Sequence, residues 1–392
     1  MKRCTKVLVV CHDAGGARSL IPVVHALGQQ AVLVQAVVAG PSIPIWRNEC
    51  TAGTAIEVAD LITVPEAMRL LEACHTDTVL SAAGLYNRME HTFRLAARRL
   101  GRRSLAVLDS WLNYAERFRR EMNGVTQQCQ PDVVCVMDDF SYEGMLAAGF
   151  TPQQLVVTGP PNLEATVRWC RAARPEQRHQ WRAACGFSAD DLVMTFFSEP
   201  FVIGPHGKHF EGPGALVGPD GRSLFGYTSG EILGAVIEEL QGVCQDLCRP
   251  CKMIVKPHPA EYAECLRSLI EDTRSPWVEL SIRSDGNAAQ WIVMADVCIG
   301  MMTIALLEAA LAGKPSLSVQ LGLLESGADD PCLGNLFGYT MPIYHRTTLT
   351  DALRHACSNR VQELLPSPRY RLPVEGAAAR VADVILTYDV TS

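Results

Sequence analysis

ADVCIGMMTIALLEAALAGKP, the stretch Ala295–Pro315, decides the fold. It reads as a strand ending at Ile299, a glycine turn at Gly300, and a helix capped near Thr303. Gly313-Lys314-Pro315 then stops the helix just before a second strand, Ser316–Val319. Two short, continuously apolar strands joined by a helix form a parallel β-α-β unit. Its strands are buried on both faces and its crossover is right-handed.

The same alternation runs outward in both directions. Upstream, Lys6–Cys11, Ala31–Val38, Thr78–Ser81, Ser104–Leu108, Val133–Val136 and Leu155–Thr158 read as strands. Helical patterns lie between them: Ala17–Gly28, Asn87–Leu100 and Tyr142–Ala148. Gly159-Pro160-Pro161 breaks this series, and the Arg-rich stretch Arg168–Arg182 reads as a bridge. A second series follows, with strands Leu192–Phe197 and Lys252–Val255 and helices Gly230–Leu247, Glu261–Glu271, Ile304–Ala312 and Leu349–Cys357. The expected architecture is α/β, with two facing Rossmann-like domains and a cleft between them. The expected parts are a first Rossmann-like domain (1–159), a linker and bridging helix (160–187), a second Rossmann-like domain (188–365) and a C-terminal segment (366–392). The last part carries a helix, Gly376–Tyr388, with scope to pack back on the first domain.

The chain has 392 residues, 48% of them hydrophobic and 20% charged, which suits two full cores and excludes a disordered chain. A net charge of −7 argues against a general nucleic-acid binder. No apolar run is long enough to span a bilayer, and no cleavage site follows the first strand, so the expectation is a cytoplasmic protein. The 15 cysteines read as buried, reduced thiols. Cys244, Cys248 and Cys251 have the spacing of an iron–sulfur motif, but they lie at the end of a helix in mid-chain, and the reading is structural. The oligomeric state leaves no trace in the sequence.

Polar residues just after apolar strands carry the candidate chemistry. His12 and Asp13 follow the first strand. Gly15 and Gly16 then allow a tight turn and close ligand approach at a helix start. The G-x-G-x-x-G spacing of dinucleotide binding is absent. Asp109 follows another strand as a candidate base, as do Asp138 and Asp139. Lys256 and His258, in Lys256-Pro257-His258-Pro259, offer cations at a strand end. Met302 and Thr303 open a helix whose N–H groups suit an anion. Glu308, in an otherwise apolar helix, reads as a ligand for a ribose diol or as a partner of Lys314 or an arginine. The Gly/Pro-rich stretch Val202–Gly226, with His206, Lys208 and His209, reads as a lid; no metal site is identifiable. Arg94, Arg98 and Arg102 share one helical face, read as solvated or as contacting an anionic membrane surface.

Ala295–Pro315 resembles the nucleotide-sugar segment of GT-B-type glycosyltransferases and of UDP-N-acetylglucosamine 2-epimerases. Lys256–Pro259 resembles a segment of bacterial capsule and surface-polysaccharide transferases. The resemblance implies a GT-B-like fold and a nucleotide-diphosphate sugar as co-substrate, with no other cofactor and no catalytic metal. Lys256, His258, Thr303 and Glu308 would hold the nucleotide, and His12, Asp13 or Asp109 would activate an unidentified acceptor. The epimerases usually carry Ser-Gly-Gly before the helix, where this chain has Gly300-Met301-Met302-Thr303. Transfer is therefore the first expectation, 2-epimerisation the second, and a nucleotide-binding protein without turnover the third.

Overall fold

The computed structural model describes residues 6–85, 87–122, 124–199, 223–258, 266–267, 270, 275–358, 360, 363 and 367–387. The proposed lid residues His206, Lys208 and His209, together with Pro259 and most of the helix expected at Glu261–Glu271, lie outside them. The chain divides into two compact units. Unit 1 comprises residues 1–165 and 372–392, and unit 2 residues 166–371.

Unit 1 is built on one parallel sheet. Its strands are β1 (Lys6–Cys11), β2 (Leu33–Val38), β3 (Thr54–Glu57), β4 (Thr78–Ala82) and β5 (Arg103–Val107), then β8 (Val133–Val136) and β9 (Leu155–Val157) after a hairpin of β6 (Arg119–Met122) and β7 (Val125–Gln128). The order is β3-β2-β1-β4-β5-β8-β9. The helices are α1 (Ala14–Gln29), α2 (Ser42–Glu49), α3 (Val64–Ala73), α4 (Met89–Arg99) and α5 (Asp139–Ala147). Val7, Val9 and Cys11 of β1 pack into one apolar cluster with α1, while Leu8 and Val10 pack into another with Phe93 of α4. This two-sided burial is why β1 is apolar without alternation.

Unit 2 repeats the plan. After α6 (Pro161–Ala172) and α7 (Pro175–Ala184) come β10 (Leu192–Phe197), α8 (Ser229–Asp246), β11 (Cys251–Lys256), β12 (Val278–Ile282), α9 (Ala288–Met294), β13 (Val297–Gly300) and α10 (Ile304–Leu311). Then come β14 (Ser316–Val319), α11 (Leu323–Ser326), α12 (Leu333–Phe337), β15 (Met341–Ile343) and α13 (Arg346–Cys357). The parallel order is β12-β11-β10-β13-β14-β15. The last helix, α14 (Ala377–Thr387), returns to unit 1, where Ala378, Val381, Ala382 and Ile385 join the α1 cluster.

Both sheets reverse strand order beside their first strand, at β1/β4 and at β10/β13. Such a switch point opens a crevice at the carboxyl ends of the strands. His12 and Gly84 flank one switch; Glu199 and Met302 flank the other.

Some expectations change. Gly15 and Gly16 are no turn; they lie in the first turn of α1, which begins at Ala14. An alanine Cβ at Gly16 would sit 2.5 Å from the Ala82 Cβ, so the glycine lets α1 lie close on β4. Arg94 is not on a solvated face. It is buried, giving hydrogen bonds to Ser81 Oγ (3.0 Å) and to the carbonyls of Ala82 (2.7 Å) and Cys129 (3.2 Å). In the cysteine trio, Cys244 and Cys251 lie together, and Cys248 departs from the expected burial. Cys248 is exposed, while Cys244 and Cys251 are buried and Cys244 Sγ lies 4.0 Å from Cys357 Sγ.

Asp296, just before β13, fastens α7 to the second sheet. Its carboxylate accepts from Arg178 Nη2 (2.5 Å), Arg182 Nη2 (2.9 Å) and the Val193 N–H (2.9 Å). Burial pushes this carboxyl up, but the Val193 N–H and the guanidiniums more than offset it, leaving it below the usual carboxylate range. Its stabilisation is full above about pH 4, the ordinary aspartate value, and is lost as pH falls through the depressed one. Asp296→Ala strands the buried Arg182 and should cost about 3 kcal/mol in urea unfolding, with a flatter acid limb. An unchanged midpoint contradicts this.

Candidate functional site

Unit 1 gathers its polar groups at the carboxyl ends of β1, β4 and β5. His12 follows β1, and its Nδ1 lies 2.9 Å from Asp13 Oδ1 while its Nε2 lies 3.3 Å from Asp60 Oδ1. Asp13 occupies the N-cap position of α1 but makes no side-chain cap bond; its carboxylate serves the imidazole. Behind them lies a residue that the sequence did not single out. Glu90, in the first turn of α4, is 0% exposed. Its Oε1 accepts from the His12 backbone N–H (2.8 Å), and its Oε2 has no hydrogen-bond partner among the described residues. Burial pushes this carboxyl up to about 7; the N–H groups of Glu90 itself and of His12 offset that in part, and the Asp13 charge adds to it.

Asp109, two residues beyond β5, is largely buried. Burial pushes it up to about 6, against the pull of Arg117, whose Nη1 is 3.0 Å from Asp109 Oδ1. Arg117 also donates to the carbonyls of Ala83 (2.6 Å) and Leu112 (2.8 Å), so it ties the β4 and β5 ends together. Three glycines make the crowding possible. A Cβ at Gly84 would lie 2.5 Å from Asp13 Oδ2, one at Gly40 2.4 Å from His12 Nε2, and one at Gly15 3.3 Å from Asp109 Oδ2. His91, next to Glu90, is buried with Nε2 2.8 Å from the Arg117 carbonyl oxygen, and burial pulls its imidazole down to about 4. Asp138 is structural. It caps α5 through the Ser141 N–H (2.7 Å) and accepts from Trp111 Nε1 (2.8 Å), while Asp139 is exposed.

Unit 2 sets the remaining candidates along its own carboxyl edge. Lys256 ends β11 with Nζ 2.9 Å from the carbonyl oxygens of both Ser284 and Asp285, so it braces that loop. His258 is exposed two residues further on. The turn between β13 and α10 is held from two sides: Ser318 Oγ donates to the Met301 carbonyl (2.6 Å), and the Met302 N–H donates to Glu199 Oε2 (2.8 Å). The N–H read as open to an anion is therefore already engaged by a carboxylate of the same chain. Thr303 caps α10 through the Ala305 N–H (3.3 Å). Glu308, half-buried on α10, accepts from Thr166 Oγ1 (3.2 Å). Its other expected partner, Lys314, directs Nζ to the carbonyls of Val293 (3.2 Å) and Ala295 (2.7 Å).

Thus His12, Asp13, Gly15 and Asp109 converge in unit 1, joined by Glu90, Gly84 and Arg117. No sequence spacing announces Glu90. The only trace is a carboxylate four residues before a buried arginine on one helix face.

Because Glu90 is raised from about 4.3 to about 7 on folding, its stabilising effect is complete at low pH and is lost as pH rises through that window. Glu90→Gln keeps the shape without the titration. Its melting temperature should change less between pH 5 and pH 8 than that of the native chain. An equal pH dependence in both contradicts the assignment.

No family model and no curated protein sequence matches the chain. Solved structures do. UDP-GlcNAc 2-epimerase from Neisseria meningitidis, bound to UDP-GlcNAc, is 11% identical with a TM-score of 0.67, over 97% of this chain and 100% of that one. The Methanocaldococcus jannaschii UDP-GlcNAc 2-epimerase is 12% identical with a TM-score of 0.65, over 98% and 100%. Anabaena HepE in complex with UDP is 14% identical with a TM-score of 0.55, over 97% and 95%. At such identities the likeness is one of fold, and this chain has the two-domain GT-B-like α/β fold that the sequence led one to expect.

Proposed function

We propose that the chain is an enzyme acting on a nucleotide-diphosphate sugar, and that it transfers the sugar to an acceptor hydroxyl. The observation that carries this reading is the His12–Asp13 pair at a topological switch point, oriented through Nδ1 and wrapped by glycines. In this reading the acceptor hydroxyl takes the place of the exposed Asp60 carboxylate beside His12 Nε2, and Nε2 takes its proton. The freed oxygen bonds to the anomeric carbon, and the bond to the diphosphate breaks with its electron pair leaving on the diphosphate. Asp13 orients the ring and stabilises the imidazolium. Asp109 is the second candidate for base. His258 and the Lys256 hydrogen left over from its two carbonyl bonds meet the diphosphate charge, in a reading that uses no metal. Glu308 receives the ribose hydroxyls. The fold neighbours solved with UDP or UDP-GlcNAc support uridine as the first nucleotide to try.

A second reading, 2-epimerisation, is favoured by one observation. Glu90 and Asp109 are both raised towards neutrality in one cluster. Exchange of a carbon-bound proton needs a base and an acid, whereas transfer needs only a base.

The test begins with thermal shift and calorimetry against UDP, GDP, CDP and ADP, followed by turnover of the matching sugar nucleotides with and without acceptor alcohols. The expected outcome is binding of at least one diphosphate and acceptor-dependent release of it. His12→Ala should lower kcat about 10²- to 10⁴-fold with little effect on nucleotide affinity. Isomerised sugar nucleotide formed without acceptor selects the second reading. Binding without any turnover selects a non-catalytic protein. No binding of any diphosphate removes the proposal altogether.

A further inference from the structure

Three thiols meet in the core of unit 2. Cys244 lies in the last turn of α8, Cys251 opens β11, and Cys357 ends α13. All three belong to one apolar cluster, and none is more than 1% exposed. Cys244 Sγ is 4.0 Å from Cys357 Sγ, and the Cys251 thiol is its other partner. Polar bonds fasten α8 to α13. Arg346 Nη1 donates to Glu238 Oε2 (2.6 Å), Thr350 Oγ1 to Glu239 Oε2 (2.6 Å) and Arg354 Nη2 to Asp246 Oδ2 (2.9 Å). Residues late in one helix meet residues late in the other, so the two helices run the same way and end together. The packing of the helices thus sets the thiol spacing. The chain leaves α8 at Cys248, which is exposed and in the left-handed region (φ 49°). Helix ends open more readily than helix middles, which gives small reagents a route to the buried pair.

We propose that Cys244 and Cys357 are a thiol–disulfide site: they join reversibly when the folded chain meets a peroxide, with Cys244 as the nucleophile. The two sulfurs are not equivalent. The thiols of Cys251 and Cys357 donate to Cys244 and pull it down, burial opposes them, and the Arg249 charge assists. Cys357 is pushed up by the same hydrogen bond and by burial. One sulfur is thus readier to attack while the other keeps its proton, the division that disulfide formation needs. The Cys244 thiolate attacks a peroxide oxygen. The O–O bond breaks, leaving a sulfenic acid and a hydroxide that takes up the proton Cys244 released. The Cys357 sulfur then attacks the Cys244 sulfur. The S–S bond forms, the S–O bond breaks, and the departing hydroxide leaves as water with the Cys357 proton. Two thiols and one hydrogen peroxide give one disulfide and two waters. Closing the 4.0 Å gap to about 2.05 Å is a movement of about 2 Å shared between two side chains. The bond would span 113 positions of the chain, so it restricts the unfolded state and raises the melting temperature by about 5 °C or more.

The experiment treats the full chain with hydrogen peroxide under native conditions, quenches it in acid, alkylates the remaining thiols in denaturant and sequences the digest by mass spectrometry. The expected result is a linked peptide pair joined between Cys244 and Cys357, lighter by two hydrogens than the free thiol peptides and separated by a thiol reductant. The melting temperature should rise with the link and return on reduction. Cys244→Ser and Cys357→Ser should each abolish both effects, while Cys248→Ser keeps them. The mapping is read on the native chain, so it decides the matter even if a serine variant does not fold. Alkylated Cys244 and Cys357 after treatment, with Cys248 alone oxidised, overturns the proposal. So does a bond from either cysteine to Cys248 or Cys251, and so does a Cys244–Cys357 link that forms only in urea.

Discussion

Parallel strands covered on both faces leave no room for charged side chains along their length. In β1, β4, β8, β10, β13 and β14 nearly every residue is buried. Small hydroxyls fit where a partner is at hand, as Ser81 and Ser318 do, but charged groups survive only near a strand's ends. All strands of a parallel sheet end on the same side, so residues far apart in sequence meet there. His12, Gly84 and Asp109 lie one or two residues beyond β1, β4 and β5; Glu199 and Met302 lie two beyond β10 and β13. The reversal of strand order then decides which ends face an opening. The site in each unit follows from these two constraints before any particular chemistry is considered.

The electrostatics of the first site follow from this crowding. Asp13, Glu90 and Asp109 share a region with one engaged guanidinium, Arg117, while Arg94 has its nitrogens on Ser81 and backbone carbonyls. Three carboxylates cannot all ionise cheaply in so little water. Asp13 adds to the upward push at both Glu90 and Asp109, which burial raises to about 7 and about 6.

Much of this was legible in the sequence, and the misses have physical causes. Central strands announce themselves as apolar runs, and β1, β10 and β13 were read to within a residue or so. Edge strands do so less well, because one side faces water: of the four sheet edges only β9, at Leu155–Thr158, stands out as an apolar run. β3 is Thr-Ala-Ile-Glu and mostly exposed, β12 is Val-Glu-Leu-Ser-Ile and half so, and none of β3, β12 and β15 was read. Arg94, Arg98 and Arg102 share a helical face by spacing, yet Arg94 turns inward to carbonyls that only the folded chain brings to it. His12, Asp13 and Asp109 were visible because a polar residue after an apolar strand is a local signal. Glu90 was not, because its significance lies in a partner 78 positions away.

The two candidate sites differ in how completely their polar atoms are matched. In unit 2 the turn before α10 rests on a network in which Asp330 accepts from Gln320 Nε2 (2.7 Å), Asn335 Nδ2 (2.7 Å) and the Cys332 N–H (2.8 Å). Gln320 and Asn335 also donate to Ser318 Oγ, which in turn holds Met301. A satisfied network of this kind is stiff, as suits a surface that must fit a ligand of fixed shape. In the unit 1 site, by contrast, Glu90 Oε2, His91 Nδ1 and the Tyr114 hydroxyl are buried with no hydrogen-bond partner among the described residues. Unmatched buried polar atoms cost stability, and such a cost is retained where those atoms have work to do with a substrate or a proton. The division of labour in the proposed reaction, with recognition in one unit and proton transfer in the other, follows the same line.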